Sequence, residues 1–408
     1  MKIVICAVPY SPNLGDGVIY ENIKQLLLER LPGAEVSALD IAGRDDYVKA
    51  GISKKSLVNK VPKLLRPYAV CTYFSLQYFL RWRSKWIAQL ADADLIVVGG
   101  GQLLLDVHLN FPVKLFLLSK AVKAAGKSGK VAVFGVGVSK SMSSAGTGLI
   151  KRTWENLAPI QASTRDVASA QNLKLILAQP LEVKVTPDPG IYSQQTFAPF
   201  LPPRTAGNVL GICISSPLEL NQAGVEKQDY SERIGKYFQE LAQQATTLGY
   251  RVHLFTNGSP EDEAFKDALA AELDPEIVNL PRPGVPSQLV ANIGQCDCII
   301  AHRLHANIVA YALDIPSIGL NWDSKVQSFF ELTGRGRFFM QAPVPDVTRT
   351  FKLLYQALQV DGTGEKVRLT QQLTTEIAAL LERSGLAGKA FAPESEPDQA
   401  GRAAAAAA

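Results

Sequence analysis

The sequence predicts an α/β protein with two doubly wound, Rossmann-like domains that face each other across a cleft. Strand-like apolar runs alternate with helical patterns through most of the 408 residues, which is typical of parallel sheets covered by helices. The length is enough for two hydrophobic cores. A Pro-rich stretch, 198–204, separates two similar halves, and its composition is typical of a stiff, extended linker.

The first predicted domain covers residues 1–198. Its opening apolar run, 3–8, is typical of a buried parallel strand. A turn rich in Pro, Asn and Gly follows, and a helix is predicted over about 17–30. Further strands are predicted at 34–39, 95–98, 131–136 and 160–163. Several of these strands end in small or polar loops, which is where α/β folds bind ligands.

The second predicted domain covers residues 205–345, with strands at 209–214, 251–255, 276–280, 298–301 and 317–320. Helices fit between them at 230–248, 260–273, 286–294 and 304–313. Residues 346–384 are expected to form C-terminal helices. Residues 385–408 lose hydrophobic periodicity and end in a run of alanines, so we expect a disordered tail.

Composition restricts the compartment and the partners. A net charge of +4 on this length does not call for a nucleic-acid partner, and none is expected. The five cysteines are scattered and mostly lie in apolar runs, which indicates free thiols in a reducing compartment. No apolar stretch approaches the length of a membrane span, and the N-terminal run is too short for a signal peptide. A cytoplasmic location is therefore expected.

The segment 298–313 has the strongest chemical pattern. A predicted strand ends and is followed within four residues by His302, Arg303 and His305, at the start of a predicted helix. A helix N-terminus favours anions. Arg303 offers a planar fork for phosphate or carboxylate oxygens, and His305 can transfer a proton near neutral pH. This segment is the predicted catalytic centre, although Arg-X-His at a helix start can also be a cap.

Six further motifs occur in a fixed order with this segment. They are Asn13-Leu14-Gly15-Asp16-Gly17, Gly99-Gly100-Gly101, Phe134-Gly135-Val136-Gly137, Thr164-Arg165-Asp166, Asp188-Pro189-Gly190 and Asp323-Ser324-Lys325. With Arg303-Leu304-His305, the ordered set resembles the polysaccharide pyruvyl transferase family over roughly residues 3–335. The chain departs from the family pattern at Gly17, where a larger residue is common, and at His302.

The resemblance implies a reaction. Similar proteins move the pyruvyl group of phosphoenolpyruvate onto a sugar, commonly as a cyclic ketal with release of phosphate, on a fold similar to the two-domain GT-B glycosyltransferases. His305 then becomes the expected acid, and Arg303, Arg165 and Lys325 the expected grips for phosphate and carboxylate. Phosphoenolpyruvate is a substrate here, and neither a metal nor a resident cofactor is expected.

The other matching residues are expected to bind substrate. Asn13, Gly15 and Asp16 would face the cleft, with the Asp16 carboxylate on a sugar hydroxyl, and Gly100 and Gly101 would let the backbone approach a ligand. Simpler interpretations stay open at each position: a helix cap for Asp16, a tight turn for the glycines, a surface ion pair for Arg165 with Asp166, and an ordered linker for Asp188. His302 is included as a substrate-binding residue by its position.

A basic and aromatic segment, 49–86, lies in the first domain. No acidic residue occurs between Asp46 and Asp92, while nine lysines and arginines do. Phe74, Tyr78, Trp82 and Trp86 recur every four residues and would share one face of a helix. That face either packs into the core or docks on an anionic membrane surface, where a lipid-linked sugar acceptor would be carried. Docking would place the protein peripherally at the inner face of the plasma membrane.

Two other functions stay open at this point. A nucleotide-sugar-dependent glycosyltransferase of the same architecture would also use glycine loops and a basic helix start. A non-catalytic sugar-binding protein could keep the fold without turnover. Binding of a nucleotide would distinguish the glycosyltransferase from a pyruvyl transferase. In a non-catalytic protein, loss of His305 would not change phosphate release.

Overall fold

The computed structural model describes residues 1–47, 61–203, 207–217, 227–321, 323–360 and 362–387. It contains two six-stranded sheets, and every strand pair in both is parallel. The predicted pair of doubly wound, Rossmann-like domains is therefore confirmed. None of the described helices is long and apolar enough to cross a membrane.

The first sheet has the strand order β2-β1-β3-β4-β5-β6. Its strands are β1 Lys2–Ala7, β2 Glu35–Asp40, β3 Leu95–Gly99, β4 Val131–Val136, β5 Gln161–Thr164 and β6 Lys184–Val185. The central strands are buried on both faces, as their continuous apolar runs require. The order reverses between β1 and β3, so the loops after these two strands flank the point where doubly wound folds bind ligands.

The second sheet has the order β12-β11-β10-β7-β8-β9. Its strands are β7 Val209–Cys213, β8 Arg251–Phe255, β9 Val278–Asn279, β10 Cys298–Ala301, β11 Ser317–Leu320 and β12 Phe339–Met340. Here the order reverses between β7 and β10, so the segment that follows β10 lies at the ligand-binding edge.

Helices cover both sheets. In the first half they are α1 Gly15–Arg30, α2 Arg66–Gln77, α3 Arg83–Ala91, α4 Asn110–Ala124, α5 Ser144–Leu157, α6 Val167–Leu177 and the short α7 Ser193–Thr196. In the second they are α8 Lys227–Thr247, α9 Pro260–Ala270, α10 Pro286–Gly294, α11 Leu304–Ala312, α12 Ser324–Leu332, α13 Val347–Ala357 and α14 Thr363–Arg383. Side-chain caps fix several starts, such as Asp166 on the Ser169 N–H at α6 (2.6 Å).

The C-terminal helix α14 returns to the first sheet. Glu376 accepts hydrogen bonds from Lys184 and Gln161 (3.1 and 3.4 Å), and Gln372 donates to the Val185 carbonyl. Leu386, just beyond the helix, is buried. The two halves are thus joined by this helix as well as by the linker. Residues 388–408 of the expected disordered tail and 204–206 of the expected linker lie outside the described residues.

The aromatic stripe of the basic segment belongs to the core, so of the two alternatives for this face core packing is confirmed and docking on a membrane is not. Tyr78, Trp82 and Trp86 are at most 8% exposed, and the two tryptophan rings stack 5.3 Å apart. Gly43 makes room for Trp82, because a Cβ at Gly43 would lie 2.3 Å from the indole. A single π-helical stretch, Tyr78–Trp82, joins α2 to α3. Residues 49–60 of the segment lie outside the described residues.

Candidate active site

His305 reaches from the second domain to the first. It is the second residue of α11, directly after β10, and it is only 8% exposed. Its Nε2 lies 3.8 Å from Oδ2 of Asp188, which precedes a turn at the end of the first half. That distance is an ion-pair contact, longer than a direct hydrogen bond. The predicted acid and the predicted linker residue therefore form a pair across the cleft.

The surroundings of Asp188 favour its ionised form. Its Oδ1 accepts a hydrogen bond from the Gly190 N–H at 2.9 Å. Burial alone would raise the pKa of Asp188, but His305, the Gly190 N–H and the positive charge of Arg165 together lower it below the usual range. An ionised, fixed carboxylate next to an imidazole orients the ring.

The His305 ring packs directly against Gly15. A Cβ on Gly15 would lie 2.1 Å from His305 Nδ1 and 2.5 Å from Cγ, which is well inside any allowed contact. The imidazole can occupy this place only because position 15 has no side chain. The amide of Gly15 in turn donates to Oδ1 of Asn13 at 3.4 Å, which holds the loop in shape.

Asp16 lies beside the same ring. Burial raises its pKa, while His305, a hydrogen bond from Ser11 and the charge of Lys325 oppose that shift. A Cβ on Gly101 would lie 3.0 Å from the Asp16 carboxylate oxygen. Gly100 and Gly101 both have left-handed backbones, with φ of +76° and +70°, which glycine adopts without strain. The loops after β1 and β3 therefore meet at Asp16.

The loop 10–17 also contacts the second domain. The Leu14 N–H donates to the Asn257 carbonyl at 2.9 Å, and a Cβ on Gly258 would meet the Pro12 carbonyl at 2.9 Å. Gly17, where this chain departs from the family pattern, is closed in by Pro286, since a Cβ there would lie 2.7 Å from the proline ring. The departure is thus explained by packing between the domains. No local signal in the sequence pointed to Asn257 or Pro286.

Arg165 follows β5 and lies flat against Gly137. A Cβ on Gly137 would lie 2.7 Å from the guanidinium carbon, so the Gly-Val-Gly motif after β4 makes room for this side chain. Arg165 is 8% exposed, and its Nε is 3.4 Å from Oδ2 of Asp166. Within the described part of the chain, that buried Nε makes no hydrogen bond. The simpler interpretation, an exposed surface ion pair, does not fit this burial.

Lys325 approaches from the other domain, in the first turn of α12. Its Nζ lies 3.3 Å from Oδ2 of Asp323. Burial lowers the pKa of Lys325, the Asp323 carboxylate opposes this, and the positive charges of Arg165 and Arg303 lower it further. Two cations from opposite halves therefore lie close enough to repel, and an anion between them would relieve that repulsion.

A pocket lies between the two halves at this point. Its walls include the polar side chains just described and an apolar patch: Arg165, Asp188, Lys325, Leu304, Ile308 and Phe329. The structure thus brings Asp188 together with Arg165 and Lys325 in this pocket. Next to it, His305 contacts Asp188 and Gly15, and the loops with Asn13, Asp16 and Gly101 surround it. All of these residues were predicted from the sequence.

Arg303 is engaged within the second domain. Its Nε and Nη2 lie 2.8 and 2.5 Å from one carboxylate oxygen of Asp262. The other oxygen of Asp262 accepts the Ser216 N–H at 2.8 Å. Arg303 is 5% exposed, and it does not line the pocket above. Its expected grip on a substrate oxyanion stays a prediction, while the geometry gives it a role in ordering the loop before α11. Asp262 had no sequence signal, because its partner is 41 residues away.

His302 points into the second domain and not into the cleft. It is fully buried, edge-on to Phe238 at 5.6 Å, and neither ring nitrogen has a partner among the described residues. Burial, with a smaller contribution from Arg303, lowers the pKa of His302 to about 3. The ring is therefore neutral at physiological pH, and any effect of His302 on substrate would be indirect.

Comparison with known proteins agrees with this geometry. Comparison with curated proteins gives no match. A structure described as a putative UDP-N-acetylglucosamine 2-epimerase from Listeria monocytogenes superposes with a TM-score of 0.55 at 11% identity. The alignment covers 97% of this chain and 99% of that one. A Staphylococcus aureus MnaA–UDP structure gives 0.51 at 12% identity, covering 92% and 96%. These likenesses confirm the two-domain Rossmann-like architecture.

The family assignment comes from sequence. The sequence model of the polysaccharide pyruvyl transferase family matches residues 13–324. This span begins at Asn13 and ends one residue before Lys325. Every motif that carries the predicted resemblance lies inside it or at its border. The matched span is most of the 408 residues. The chain therefore belongs to the polysaccharide pyruvyl transferase family of enzymes.

Proposed function

We propose that this enzyme transfers the pyruvyl group of phosphoenolpyruvate onto two hydroxyls of a sugar, forming a cyclic ketal and releasing phosphate. The acceptor belongs to a cell-surface polysaccharide or to its lipid-linked precursor. One observation carries the proposal: the buried Arg165 and the partly buried Lys325, cations from opposite halves, line one pocket with Asp188, the partner of His305.

The donor fits the pocket by charge. Phosphoenolpyruvate has a phosphate and a carboxylate, and Arg165 can bind an oxyanion with two parallel N–H groups while Lys325 acts as a point charge. The apolar wall of Leu304, Ile308 and Phe329 suits the methylene group. An anion between the two cations removes their mutual repulsion, which favours binding of the fully ionised donor.

His305 acts as the general acid. The reaction starts when a proton moves from the imidazolium to the methylene carbon, which becomes the methyl group and leaves positive charge on the adjacent carbon. Asp188 stabilises the protonated ring before transfer. The limited exposure of His305, 8%, keeps water from competing for the proton or the cationic carbon.

Two sugar hydroxyls complete the ketal. The first attacks the cationic carbon, and its proton returns to the histidine, so that the acid is restored. The bond from that carbon to the phosphate oxygen then breaks, and the second hydroxyl forms the other carbon–oxygen bond while its proton leaves with the phosphate. One phosphoenolpyruvate and one diol thus give one ketal and one hydrogen phosphate. Asp16, beside His305, is placed to orient the attacking hydroxyl.

Release of phosphate tests the proposal. The protein is incubated with phosphoenolpyruvate and a panel of aryl glycosides and lipid-linked sugars, and both free phosphate and product mass are measured. We expect His305→Gln and Asp188→Asn to reduce turnover, the first by about 10² to 10⁴. The matched control is His253→Gln, on β8 of the same domain and outside this pocket. Unchanged phosphate release by His305→Gln would refute the acid role.

Ligand binding distinguishes the proposal from the nucleotide-sugar alternative. We expect phosphoenolpyruvate to raise the thermal midpoint of the protein and UDP to leave it unchanged. Lys325→Met should abolish the phosphoenolpyruvate shift. Stabilisation by UDP with no response to phosphoenolpyruvate would favour a nucleotide-sugar transferase instead.

A further inference from the structure

The helical stretch 66–91 has apolar side chains on two faces. The inner face, with Tyr78, Trp82 and Trp86, is packed in the core. The opposite face is a second stripe that the core does not cover, formed by Leu65, Tyr68, Leu76, Phe79 and Leu80 and called here the outer stripe. Its members are 53 to 72% exposed, and the neighbouring Leu64 is 88% exposed. Contiguous exposed apolar side chains of this size mark an interaction surface.

The stretch that carries the outer stripe has charges of one sign only. Residues 61–91 contain Lys63, Arg66, Arg81, Arg83 and Lys85 and no acidic residue, and of these cations Lys85 is paired with Asp45 outside the stretch. The neighbouring helix α4 also has lysines and no acid, and Lys120 places its ammonium 5.8 Å from the Phe79 ring. Exposed apolar side chains on a helix whose own charges are all positive are typical of helices that lie at an anionic lipid surface.

The N-terminal end of the outer stripe extends toward the ligand-binding edge of the first sheet. Trp82 packs on Gly43, three residues after the end of β2 at Asp40, and Phe79 lies beside Lys120 of α4. The stretch 66–91 is about 39 Å long, at 1.5 Å per residue, while a six-residue strand spans about 20 Å. Because α3 ends beside the start of β3, the excess length is all at the end that carries the outer stripe.

We infer that the outer stripe, with the cations beside it, binds the surface of an anionic phospholipid bilayer. Leu76, Phe79 and Leu80 enter the headgroup and upper acyl region, and Tyr68 lies at its polar boundary. Arg81, Arg83 and Lys120 contact lipid phosphates. Lipid binding is independent of the proposed reaction, because no residue of the outer stripe lies in the pocket.

Vesicle co-sedimentation of the full-length protein tests this. The vesicles contain phosphatidylcholine alone or with phosphatidylglycerol, at low and high salt. We expect binding to the anionic vesicles only, weakened by salt. Leu76→Ser/Leu80→Ser should weaken it by at least about tenfold per side chain, and Arg81→Gln/Arg83→Gln by about fivefold per charge.

Matched controls are available on other surfaces. Leu175, on α6, is 78% exposed, so Leu175→Ser removes an equally exposed leucine, and Lys130→Gln removes an exposed cation before β4. Both should bind vesicles like the wild type. Failure of the wild type to sediment with anionic vesicles at low salt, or normal sedimentation of Leu76→Ser/Leu80→Ser, refutes the inference. A third outcome would assign the stripe to a second copy of the chain: the wild type does not bind vesicles, light scattering shows that it is a dimer, and Leu76→Ser/Leu80→Ser makes it a monomer.

Discussion

A single added methyl group at position 15 should remove most of the activity. The Cβ of Gly15→Ala would stand 2.1 Å from Nδ1 of His305, and ordinary contact begins at 3.4 Å. The ring or the loop must therefore move by roughly 1.3 Å, the difference between these two distances. Either movement changes the contact of His305 with Asp188 across the cleft, which is 3.8 Å now.

The size of the loss follows from that displacement. A misplacement of about 1 Å at a reacting group can cost about 10²-fold in rate, and complete loss of a general acid costs about 10² to 10⁴. We expect Gly15→Ala to reduce kcat by at least about 10², with a smaller change in the KM for phosphoenolpyruvate, because Arg165 and Lys325 are not displaced.

The assay is steady-state phosphate release with the best acceptor of the panel. Gly148→Ala is the control, because Gly148 lies in α5 with nothing within 4 Å of the added Cβ; it should keep full activity. In a Gly15→Ala/His305→Ala double variant, the second change should add little to the first, since both remove the same acid. A Gly15→Ala enzyme with normal kcat, or two effects that multiply, would refute this account of Gly15.

Three further predictions test residues around the acid. Lys325→Met should lower kcat/KM for phosphoenolpyruvate by about 10- to 100-fold, the usual value of a hydrogen bond to a charged group, as measured by initial rates against donor concentration. Arg303→Lys should lower the free energy of unfolding by about 1–3 kcal/mol, because one ammonium cannot reproduce both contacts with Asp262; a raised KM without loss of stability would instead support a direct grip on substrate. His302 has its pKa lowered to about 3 by burial and then by Arg303, so the unfolded chain binds a proton that the folded chain does not. The stability it contributes is complete above about pH 6.5 and is lost as the pH falls toward 3, by up to about 1.4 kcal/mol per unit. In urea melts at pH 7 and pH 5, His302→Leu should reduce that loss, and an unchanged pH dependence would contradict the assignment.

The sequence was sufficient for most of the fold, because a strand buried on both faces needs a continuous apolar run. All ten predicted strands exist within one or two residues at most ends. The edge strands β6 and β12 were not predicted, since each has only two residues and no periodicity can be seen over that length. The return of α14 to the first sheet was also missed, as its amphipathic pattern does not say which surface it covers.

The aromatic stripe shows the same limit more clearly. A spacing of four residues correctly placed Tyr78, Trp82 and Trp86 on one side of a helix, but periodicity identifies a face and not its environment. Gly43, which makes room for Trp82, is 39 positions away and has no local signal. The exposed face could be recognised only after the buried one had been located.

For the site, motifs identified the residues but not all of their roles. Asp188 and His305 were each singled out, yet their contact joins two halves of the chain 117 positions apart and became visible only in three dimensions. Arg303 had the right chemistry for an oxyanion, but Asp262, which no motif includes, already occupies its guanidinium. Charge type can be predicted from sequence, while the partner of a charge depends on tertiary structure.

The proposed catalytic site is built from residues that also join the two domains. The loop that seats His305 at Gly15 also holds the second domain, through the Leu14 N–H on Asn257 and through Gly17 against Pro286. Separation of the domains would remove Asp188 and Gly15 from the imidazole together and would expose the ring to water. If His305 is the proposed acid, it is assembled only when the domains meet, which would confine proton transfer to the state in which the cationic carbon is shielded from hydrolysis.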